Sequence, residues 1–520
     1  MPEPPKGYNA MLKYPYAAEY QRAMLKEFTG LMDRGTFEYK EHSDEKLVPL
    51  MWVFTNKFDE DGFLINFKAR LVARGDLYKS DEETYAATLA AQTFRAIAAL
   101  IAAFDLETRQ YDAIMAFVNA KFKDPIPVQC PAGFTKPGFY LLALRALYGF
   151  PFSPLLWNDE IKGTLVKLGL YPIPGVNCVY SNKFLTVIFY VDDFVLVYPK
   201  KYRNYANEFE RNLMAKYNIR KLGELEHFLG IRVIRDRPNR KLWLLQDSYI
   251  EKLEKKFNIH ITKVPKTPIP ANLIPNSGIA TPEQVYAYQQ RTGSINFSAT
   301  HCRPDIARAI SKLCEFQLNP SEQHIQAIEQ ALHYLVGTKY LALEFDGTII
   351  EDQIFLTYSD AAFADDQNTR YSSNGYAIKL FGGMIHFKAT KQKTVTTAST
   401  EAELLALTLT AKEYMWWIRF LKALGFELNA KTTIVCDNLQ TIRLLTKEAP
   451  KLITRLKHVD IHQCWLRQEV QAERIAIKWA PTAQMVADGF TKELSPIKHS
   501  EFIKQLNMVD VEHMLKGVHQ

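Results

Sequence analysis

The stretch Phe184-Leu-Thr-Val-Ile-Phe-Tyr-Val-Asp-Asp-Phe-Val-Leu-Val-Tyr198 decides the fold of this chain. It is apolar and β-branched on both sides of one acidic pair, Asp192 and Asp193, which predicts a buried β-hairpin with two carboxylates at its turn. Adjacent acids at the tip of an apolar hairpin repel each other and are costly to desolvate. Bound Mg²⁺ would remove both costs, because it takes oxygen ligands and leaves positions open for phosphates. An ordinary hairpin with an Asp-Asp turn fits these residues equally well, so the other motifs have to decide.

Composition and charge indicate a globular protein of several domains. The 520 residues are 47% hydrophobic and 23% charged, which suffices for roughly two to four domains. The net charge of +7 is compatible with a polyanionic partner without indicating one. Six scattered cysteines without a Cys-x-x-Cys pair are expected to be reduced core residues of an intracellular protein. We expect no membrane contact, since the start does not resemble a signal peptide and no apolar run could span a bilayer.

A second hairpin is predicted from Trp52 to Arg74, with Asp61-Gly62 at its turn. Lys68, Arg70 and Arg74 are two or four residues apart in its second strand, so they are expected to share one face. A basic strand face is often merely solvated. It could equally hold a triphosphate or a nucleic-acid backbone.

The other patterns of the first 350 residues predict both helices and strands. We predict a helix packed on a sheet between Thr84 and Leu106, then a strand ending near Asp112, where a lone acid is usually a cap or turn residue. Residues 265–282 are rich in Pro, Asn and Ser, which is typical of a linker. Residues 283–345 are predicted to be helical.

A composition shift near residue 350 marks a second region with a β-β-β-α-β-α-β-α pattern. Three strands are predicted between 354 and 389, followed by a long helix with Ser399 or Thr400 as its N-cap and a last helix over 482–491. Acids lie at two strand ends and on two helices of this region: Asp360, Asp437, Glu401 or Glu403, and Asp488.

These motifs together resemble the copia-type LTR-retrotransposon Pol polyprotein, in its reverse transcriptase and ribonuclease H region. The resemblance extends from about Trp52 to about Leu494, and the motifs occur in family order, which is far more specific than a lone Tyr-x-Asp-Asp. Besides the Asp112 segment, the matching motifs are Trp52-Val-Phe, Phe67-Lys-Ala-Arg-Leu-Val-Ala-Arg-Gly75, Ala146-Leu-Tyr-Gly149, Ser153-Pro154, Tyr190-Val-Asp-Asp193, Leu222-Gly-Glu-Leu225, Phe228-Leu-Gly-Ile231, Arg303-Pro-Asp-Ile306, Ser399-Thr-Glu-Ala-Glu403, Cys436-Asp-Asn438, His458-Val-Asp-Ile461 and Ala487-Asp488.

The resemblance implies an α+β fold, a right-hand polymerase with fingers, palm and thumb/connection, followed by an α/β ribonuclease H-like domain. The expected domains are fingers and palm at 1–262, thumb/connection at 263–350, ribonuclease H at 351–495 and a C-terminal tail at 496–520. The implied function is RNA-directed DNA synthesis with degradation of RNA in the hybrid, by two-metal-ion phosphoryl transfer. The implied partners are an RNA template, a DNA primer, the RNA–DNA hybrid and dNTPs. The expected localisation is cytoplasmic, particle-associated, or nuclear, and the oligomeric state stays open.

The resemblance also implies roles by position in the polymerase. Asp112, Asp192 and Asp193 would bind two Mg²⁺ ions, or Mn²⁺, one ion at the primer 3′-hydroxyl and one at the triphosphate. A basic fingers residue would contact the incoming phosphates and an aromatic gate would exclude a 2′-hydroxyl. The nucleotide-binding residues would be Lys57, Lys68, Phe117 (the gate), Tyr148 and Gly149, and the primer grip would be Phe228, Leu229 and Gly230. For each of these lesser residues, a place in the core or on solvated surface is the alternative.

In the second region, four carboxylates match the ribonuclease H site and would hold two further Mg²⁺ ions: Asp360, Glu403, Asp437 and Asp488. We choose Glu403 because the Glu-Leu-Leu-Ala-Leu that begins there fits the family's helix pattern, whereas Glu401 would be an N-terminal helix charge. His458 and Asp460 are also typical of the family, and we expect them to be structural helix residues.

The chain departs from the family pattern at several points. Pro151 and Phe152 stand where the family usually has a basic pair, which removes potential template or phosphate contacts. No histidine lies between Trp479 and Asp488, where bacterial ribonuclease H has a flexible-loop histidine. Protease, integrase and Gag zinc motifs are absent from the sequence, so we expect a fragment, a processed product or a genomic remnant. The alternative functions are a degenerate or domesticated copy that only binds nucleic acid, and a nuclease with an inert first domain.

Overall fold

The structure is a computed structural model, and it divides into two compact units. The first unit comprises Met1–Leu89, Arg109–Leu196 and Tyr202–Gly223, and the second comprises Ala90–Thr108, Val197–Lys201 and Glu224–Gln520. The residues described are 2–41, 46–58, 63–78, 83–347, 349–350, 353–366, 368–428, 433–446 and 457–516, with the backbone alone at 457–460, 463 and 516. The predicted turn Asp61-Gly62 and the predicted boundary at 351 therefore lie outside the described residues. The boundaries at 262, 350 and 495 stay predictions.

Helices and strands are mixed in the first 223 residues. In chain order they are α1 (Tyr8–Leu12), α2 (Ala17–Asp33), β1 (Phe37–Glu41), β2 (Leu50–Phe58), β3 (Leu64–Ala73), α3 (Ala91–Phe104), β4 (Glu107–Ala113), β5 (Lys121–Val128), β6 (Phe139–Arg145), α4 (Ser153–Lys167), β7 (Tyr171–Pro172), β8 (Val179–Ser181), β9 (Thr186–Tyr190), β10 (Asp193–Tyr198), α5 (Arg203–Lys216) and β11 (Ile219–Gly223).

The two predicted hairpins are both present. β9 and β10 are the centre of a six-stranded sheet of order β11-β4-β10-β9-β8-β7, and their apolar residues are mostly buried. β2 pairs with β3, with Trp52 opposite Leu71. Arg74 does not share the face of Lys68 and Arg70, because β3 ends at Ala73 and Arg74 forms an ion pair of 2.7 Å with Asp76.

The rest of the chain contains the elements β12 (His227–Phe228), β13 (Ile231–Asp236), β14 (Lys241–Leu245), α6 (Asp247–Lys256), α7 (Pro282–His301), α8 (Ala307–Cys314), α9 (Glu322–Gly337), β15 (Leu341–Phe345), β16 (Phe355–Ala362), β17 (Ser373–Leu380), β18 (Gly383–Lys391), α10 (Ser399–Ala423), β19 (Thr433–Cys436), α11 (Leu439–Thr446), α12 (Lys457–Gln471), β20 (Ala476–Trp479), α13 (Pro496–Gln505), β21 (Met508–Asp510) and α14 (Glu512–Lys516). One five-stranded sheet has the order β18-β17-β16-β19-β20, with β16, β19 and β20 parallel to one another. This mixed sheet with its helices matches the predicted ribonuclease H-like domain, and the α+β fold class is confirmed.

Several local predictions in the second unit were wrong. Residues 265–281 form no helix or strand and α7 begins at Pro282, yet Ile269 and Leu273 are buried among the helices, so this segment is packed coil. The predicted helical region ends in a strand, β15. Ala398 is the N-cap of α10, with no side-chain cap hydrogen bond. Residues 482–491 contain two short 3₁₀ turns instead of an α-helix. The prediction of an α-helix is wrong because a short hydrophobic pattern does not distinguish the α-helix from the tighter 3₁₀ turn.

The predicted C-terminal tail is folded into a second five-stranded sheet, of order β12-β13-β14-β15-β21. Its strand β21 pairs antiparallel with β15, where Leu343 lies opposite Met508. Helix α13 precedes this strand, and the start of α13 is favoured by Pro496 in its first turn. Among the described residues, no helix combines the length and apolar character needed to cross a membrane.

Helix α3 is built into the second unit although it precedes the palm strand β4 in sequence. Arg95 of α3 is 2% exposed and donates to backbone carbonyls on β18 and at the end of α7, those of Ile385 at 2.9 Å and His301 at 2.6 Å. A buried guanidinium is costly unless its donors are satisfied. The second unit therefore depends on residues far outside the predicted nuclease segment.

Candidate active sites

The first candidate site is the β9–β10 turn, which consists of Val191 and Asp192. Val191 has φ of +55°, a conformation that is rare for a β-branched residue. Two hydrogen bonds hold this turn. The indole Nε1 of Trp157 donates to the Val191 carbonyl at 2.6 Å, and the Ala113 amide donates to the Asp192 carbonyl at 2.8 Å. No pattern in the sequence singles out Trp157, because its partner lies on a different element.

The three predicted palm carboxylates come together at this turn. Asp112 lies near the end of β4, which is the neighbour of β10 in the sheet. Burial, followed by the charges of Asp192 and Asp112, raises the pKa of Asp193 to about 6. Burial also raises the pKa of Asp192. Arg220 of β11, which was not predicted, lies opposite Asp112 and donates to its Oδ2 at 2.8 Å.

Two of these acids, Asp112 and Asp192, line a cavity of about 1120 Å³. Its walls come from α2, the β2–β3 hairpin and the palm sheet, and the described side chains that line it include seven cations and five acids. The charged and aromatic residues on these walls include Lys26, Glu27, Arg34, Lys57, Lys68, Arg70, Asp112, Tyr148, Asp192 and Arg220. Burial lowers the pKa of Lys68, and the neighbouring charges of Arg70 and Lys57 lower it further. Such a concentration of positive charge beside paired carboxylates suits a phosphate-bearing ligand with metal.

Among the residues predicted to bind the nucleotide, Tyr148 lines the cavity, Phe117 is largely buried and Gly149 lies in a loop that approaches β3 closely. Tyr148 lines the cavity, and Arg70 lies over its ring at 5.3 Å. Phe117 is 9% exposed and packs against Tyr148, with ring centroids 4.7 Å apart. Gly149 has φ of +100°, and a Cβ there would lie 2.0 Å from the Ala73 carbonyl oxygen. Gly149 is therefore required for the close approach of its loop to β3.

The predicted primer grip lies in the β12–β13 hairpin of the second unit. Phe228 is 1% exposed and packs against Phe94 of α3, with ring centroids 5.3 Å apart. Its side chain is a core residue. Leu229 and Gly230 both have positive φ, 55° and 72°, and form the hairpin turn. Any contact to a primer would come from this turn.

The second candidate site collects four carboxylates in the sheet β18-β17-β16-β19-β20 and its surrounding helices. Asp360 lies on β16 and is 1% exposed, and Glu403 lies on α10 and is 7% exposed. Asp437 follows β19, and Asp488 lies in a 3₁₀ turn. Ligand atoms of Glu403, Cys436 and Asp437 lie within 4.8 Å of one another.

Side chains that the sequence did not single out hold these acids. Thr491 donates its hydroxyl to Asp360 Oδ2, and Thr482 donates to Asp437 Oδ2 at 2.8 Å. The ammonium of Lys492 pairs with Asp488 Oδ1 and lies 3.8 Å from Asp360 Oδ2. The indole of Trp479, a side chain that is 46% exposed, donates to the Asp437 backbone carbonyl at 3.0 Å.

The electrostatics of this site suit divalent cations with oxygen ligands. Burial, followed by Asp360 and Asp437, raises the pKa of Glu403 to about 9, and burial raises that of Asp360 to about 6 despite the attraction of Lys492. Glu403 Oε2 is buried and has no hydrogen-bond partner within the described part of the chain. An orphaned carboxylate oxygen among other carboxylates is suited to Mg²⁺ or Mn²⁺. Burial raises the pKa of the Cys436 thiol, and its sulfur accepts a hydrogen bond from the Asn438 amide at 3.4 Å.

The two neighbouring glutamates of α10 have different partners. Glu401 accepts hydrogen bonds from the Thr397 amide at 2.8 Å and the Thr397 hydroxyl at 2.9 Å, so it holds the start of the helix. Glu403 faces Asp437 instead. The side chains of His458 and Asp460 lie outside the described residues, although their backbone is part of α12.

Pro151 and Phe152, which depart from the family pattern, differ in burial. Pro151 is exposed, whereas Phe152 is 4% exposed and packs in an aromatic cluster with Phe150, Phe122 and Tyr78. Phe152 is thus a core residue of the first unit, and a charged side chain at this position would have to be buried.

Comparison with known proteins gives the class of this protein. Residues 37–271 match the family described as "Reverse transcriptase (RNA-dependent DNA polymerase)". The chain is 31% identical, over 96% of its length, to the Retrovirus-related Pol polyprotein from transposon TNT 1-94 of Nicotiana tabacum. It is 28% identical, over 89% of its length, to the corresponding polyprotein from transposon RE1 of Arabidopsis thaliana. Residues 37–271 are therefore a reverse transcriptase domain, and nearly the whole chain is similar to retrotransposon Pol polyproteins.

The match covers a part of these relatives. The chain spans 39% of the tobacco polyprotein and 32% of the Arabidopsis polyprotein. Among solved structures, a foamy viral protease-reverse transcriptase in complex with double-stranded DNA overlaps 89% of this chain and 70% of its own, at 14% identity and a TM-score of 0.45.

Proposed function

We propose that the chain is an RNA-directed DNA polymerase with a separate ribonuclease H activity. The observation that carries this proposal is that Asp112 and Asp192 line a cavity of about 1120 Å³ together with Lys57, Lys68, Arg70 and Arg220. A dNTP brings a triphosphate that requires both positive charge and metal, and this cavity offers both kinds of group. The match of residues 37–271 to the reverse transcriptase family supports the same function.

The acids of this site would hold metal ions, and its basic side chains would attract the triphosphate. Asp112, Asp192 and Asp193 would hold Mg²⁺, which when bound would favour ionisation of the primer 3′-hydroxyl and neutralise charge on the leaving pyrophosphate. Lys68 and Arg70 would attract the triphosphate from the β3 side of the cavity.

Around this centre, uncharged groups would shape the nucleotide pocket. Tyr148 would give the nucleotide a flat surface, and Phe117 packs against it, so a 2′-hydroxyl would be excluded by this aromatic pair. Lys57, on the same cavity wall, would be an exposed additional phosphate contact. The Leu229–Gly230 turn would be the part of the predicted grip that contacts a primer.

The second site would cleave RNA in the RNA–DNA hybrid. Asp360, Glu403, Asp437 and Asp488 would hold divalent cations, and burial of Asp360 and Glu403 would keep the ligand geometry fixed. Hybrid would be selected through the 2′-hydroxyls that line the minor groove of the strand to be cut. The partners would be an RNA template, a DNA primer, hybrid and dNTPs, in an intracellular setting.

A second candidate function is nucleic-acid binding without catalysis, as in a degenerate or domesticated copy. The observation that favours it is the aromatic residue Phe152 where the family usually has a basic side chain, because fewer cations would then contact the template. A nuclease with an inert polymerase domain is the third candidate. The seven carboxylates required for both reactions are nevertheless present.

The test is primer extension by the purified chain. A labelled DNA primer annealed to RNA is incubated with dNTPs and Mg²⁺, and product length and RNA cleavage are followed on the same gel, with EDTA as the control. The proposal expects both metal-dependent extension and metal-dependent cleavage. Tight hybrid binding without either reaction would establish the binding-only candidate, and cleavage alone would establish the nuclease.

A further inference from the structure

Lys492 places an ammonium group directly among the acids of the nuclease site. Its Nζ pairs with Asp488 Oδ1 and lies 3.8 Å from Asp360 Oδ2. The backbone sets this arrangement, because the Lys492 amide donates to the Asp488 carbonyl at 3.1 Å, which brings residues four apart onto one side of the turn. Thr491, the preceding residue, bonds Asp360 with its hydroxyl. The Asp-x-x-Thr-Lys segment therefore contacts two of the four carboxylates.

The side chains of Asp360 and Asp488 are less exposed to solvent than the side chain of Lys492. Asp360 is 2% exposed at its side chain and Asp488 is 16% exposed, whereas the Lys492 side chain is 42% exposed. A lysine carries its charge on a flexible stem of four carbons. The ammonium can thus turn out to solvent while the carboxylates stay in place.

We propose that Lys492 is a positioning residue of the nuclease site, a tethered counter-ion that orders Asp488 and Asp360 and competes with divalent cations for their oxygens. This inference rests on the proposed nuclease function. An ammonium and a divalent ion repel each other at contact distance, so both cannot occupy the same carboxylate oxygens. Lys492 would set the cation concentration at which the site fills, and it would also limit repulsion among the acids when no ion is bound.

The inference is tested by calcium titration without nucleic acid. The full chain carries Asp192→Asn throughout, so that binding at the palm is weakened equally in every sample, and Ca²⁺ binding is measured by calorimetry. Lys492→Met and Lys492→Gln remove the charge, Lys492→Arg keeps it, and Lys498→Met on α13 is the control for loss of an exposed lysine. Melting temperatures are recorded in EDTA and in saturating Ca²⁺.

Both neutral variants are expected to bind Ca²⁺ roughly tenfold more tightly than the parent, the order expected for removing one like charge at a partly exposed site. They should melt at a lower temperature than the parent in EDTA and at the parent's temperature in saturating Ca²⁺. The Arg and control variants should behave like the parent. Unchanged or weaker Ca²⁺ binding in folded neutral variants would overturn the role of Lys492. Asp437→Asn in the same titration tests the site itself: if it bound Ca²⁺ as the parent does, the proposed nuclease function would fail, whatever the lysine does.

Discussion

Replacement of Trp157 by Phe should damage polymerisation through the backbone of the catalytic turn. The indole is the donor to the Val191 carbonyl at 2.6 Å in a partly buried contact, and the net loss of such a hydrogen bond costs about 0.5–1.5 kcal/mol. The smaller ring loses about 1 kcal/mol more in buried contacts. Val191 holds a positive φ that costs roughly 1–3 kcal/mol, so without the indole the turn is expected to relax. A displacement of the acids by about 1 Å lowers a rate by up to about 100-fold.

We therefore expect kcat for primer extension to fall about 10- to 100-fold in Trp157→Phe, with little change in the KM for dNTP and with hybrid cleavage intact. The matched control is Trp52→Phe. Trp52 is 2% exposed and donates its indole hydrogen to the Ala132 carbonyl at 3.0 Å, far from the acids in sequence and outside the residues that line the cavity. Both variants should lose similar stability in urea unfolding. Equal extension rates in the two variants would refute a role for the Trp157 bond in holding the turn.

Three further outcomes are expected. Phe152→Arg should destabilise the first unit by several kcal/mol in urea unfolding, since it buries an unpaired charge, whereas Pro151→Arg at an exposed position should change stability by no more than about 0.5 kcal/mol. In EDTA, the melting temperature of the second unit should fall as pH rises from about 5 to 9. Glu403 has a pKa of about 9 in the folded state and about 4.3 in the unfolded chain, so over this range the folded state retains a proton that the unfolded chain has lost. Mg²⁺ should abolish this dependence of the melting temperature on pH. A fragment of residues 351–495 should show no cooperative melting, because it lacks α3 and β15, which pack against β18; cooperative melting of that fragment would show that the nuclease segment folds alone.

The elements that the sequence predicted correctly are those with local patterns. The β9–β10 hairpin follows from apolar runs on both sides of one acidic pair, and the sheet of the second region follows from short alternating segments. The positions of Asp192 at a turn and Asp360 in a strand follow from the same local signals. The grouping of the seven acids into two sites came from the family resemblance.

The missed features depend on contacts between distant residues. The sequence predicts a tail where β21 lies, because three residues carry no periodic signal, and only the pairing with β15 makes this segment a strand. Trp157, Arg220 and Lys492 gained their roles from partners on other elements. Phe228 was predicted to touch a primer, but its ring fills the space beside Phe94, which a motif cannot reveal.

The most direct test of two separate carboxylate sites is a side-by-side assay of Asp192→Asn and Asp437→Asn. Each variant exchanges one oxygen ligand for an amide nitrogen and leaves side-chain volume almost unchanged, so folding is preserved, as circular dichroism should show. Extension of a DNA primer on RNA and cleavage of the RNA strand are measured on the same hybrid with Mg²⁺. Asp192→Asn should lose extension and keep cleavage, and Asp437→Asn should lose cleavage and keep extension. Loss of both reactions in either folded variant would contradict the assignment of two independent sites.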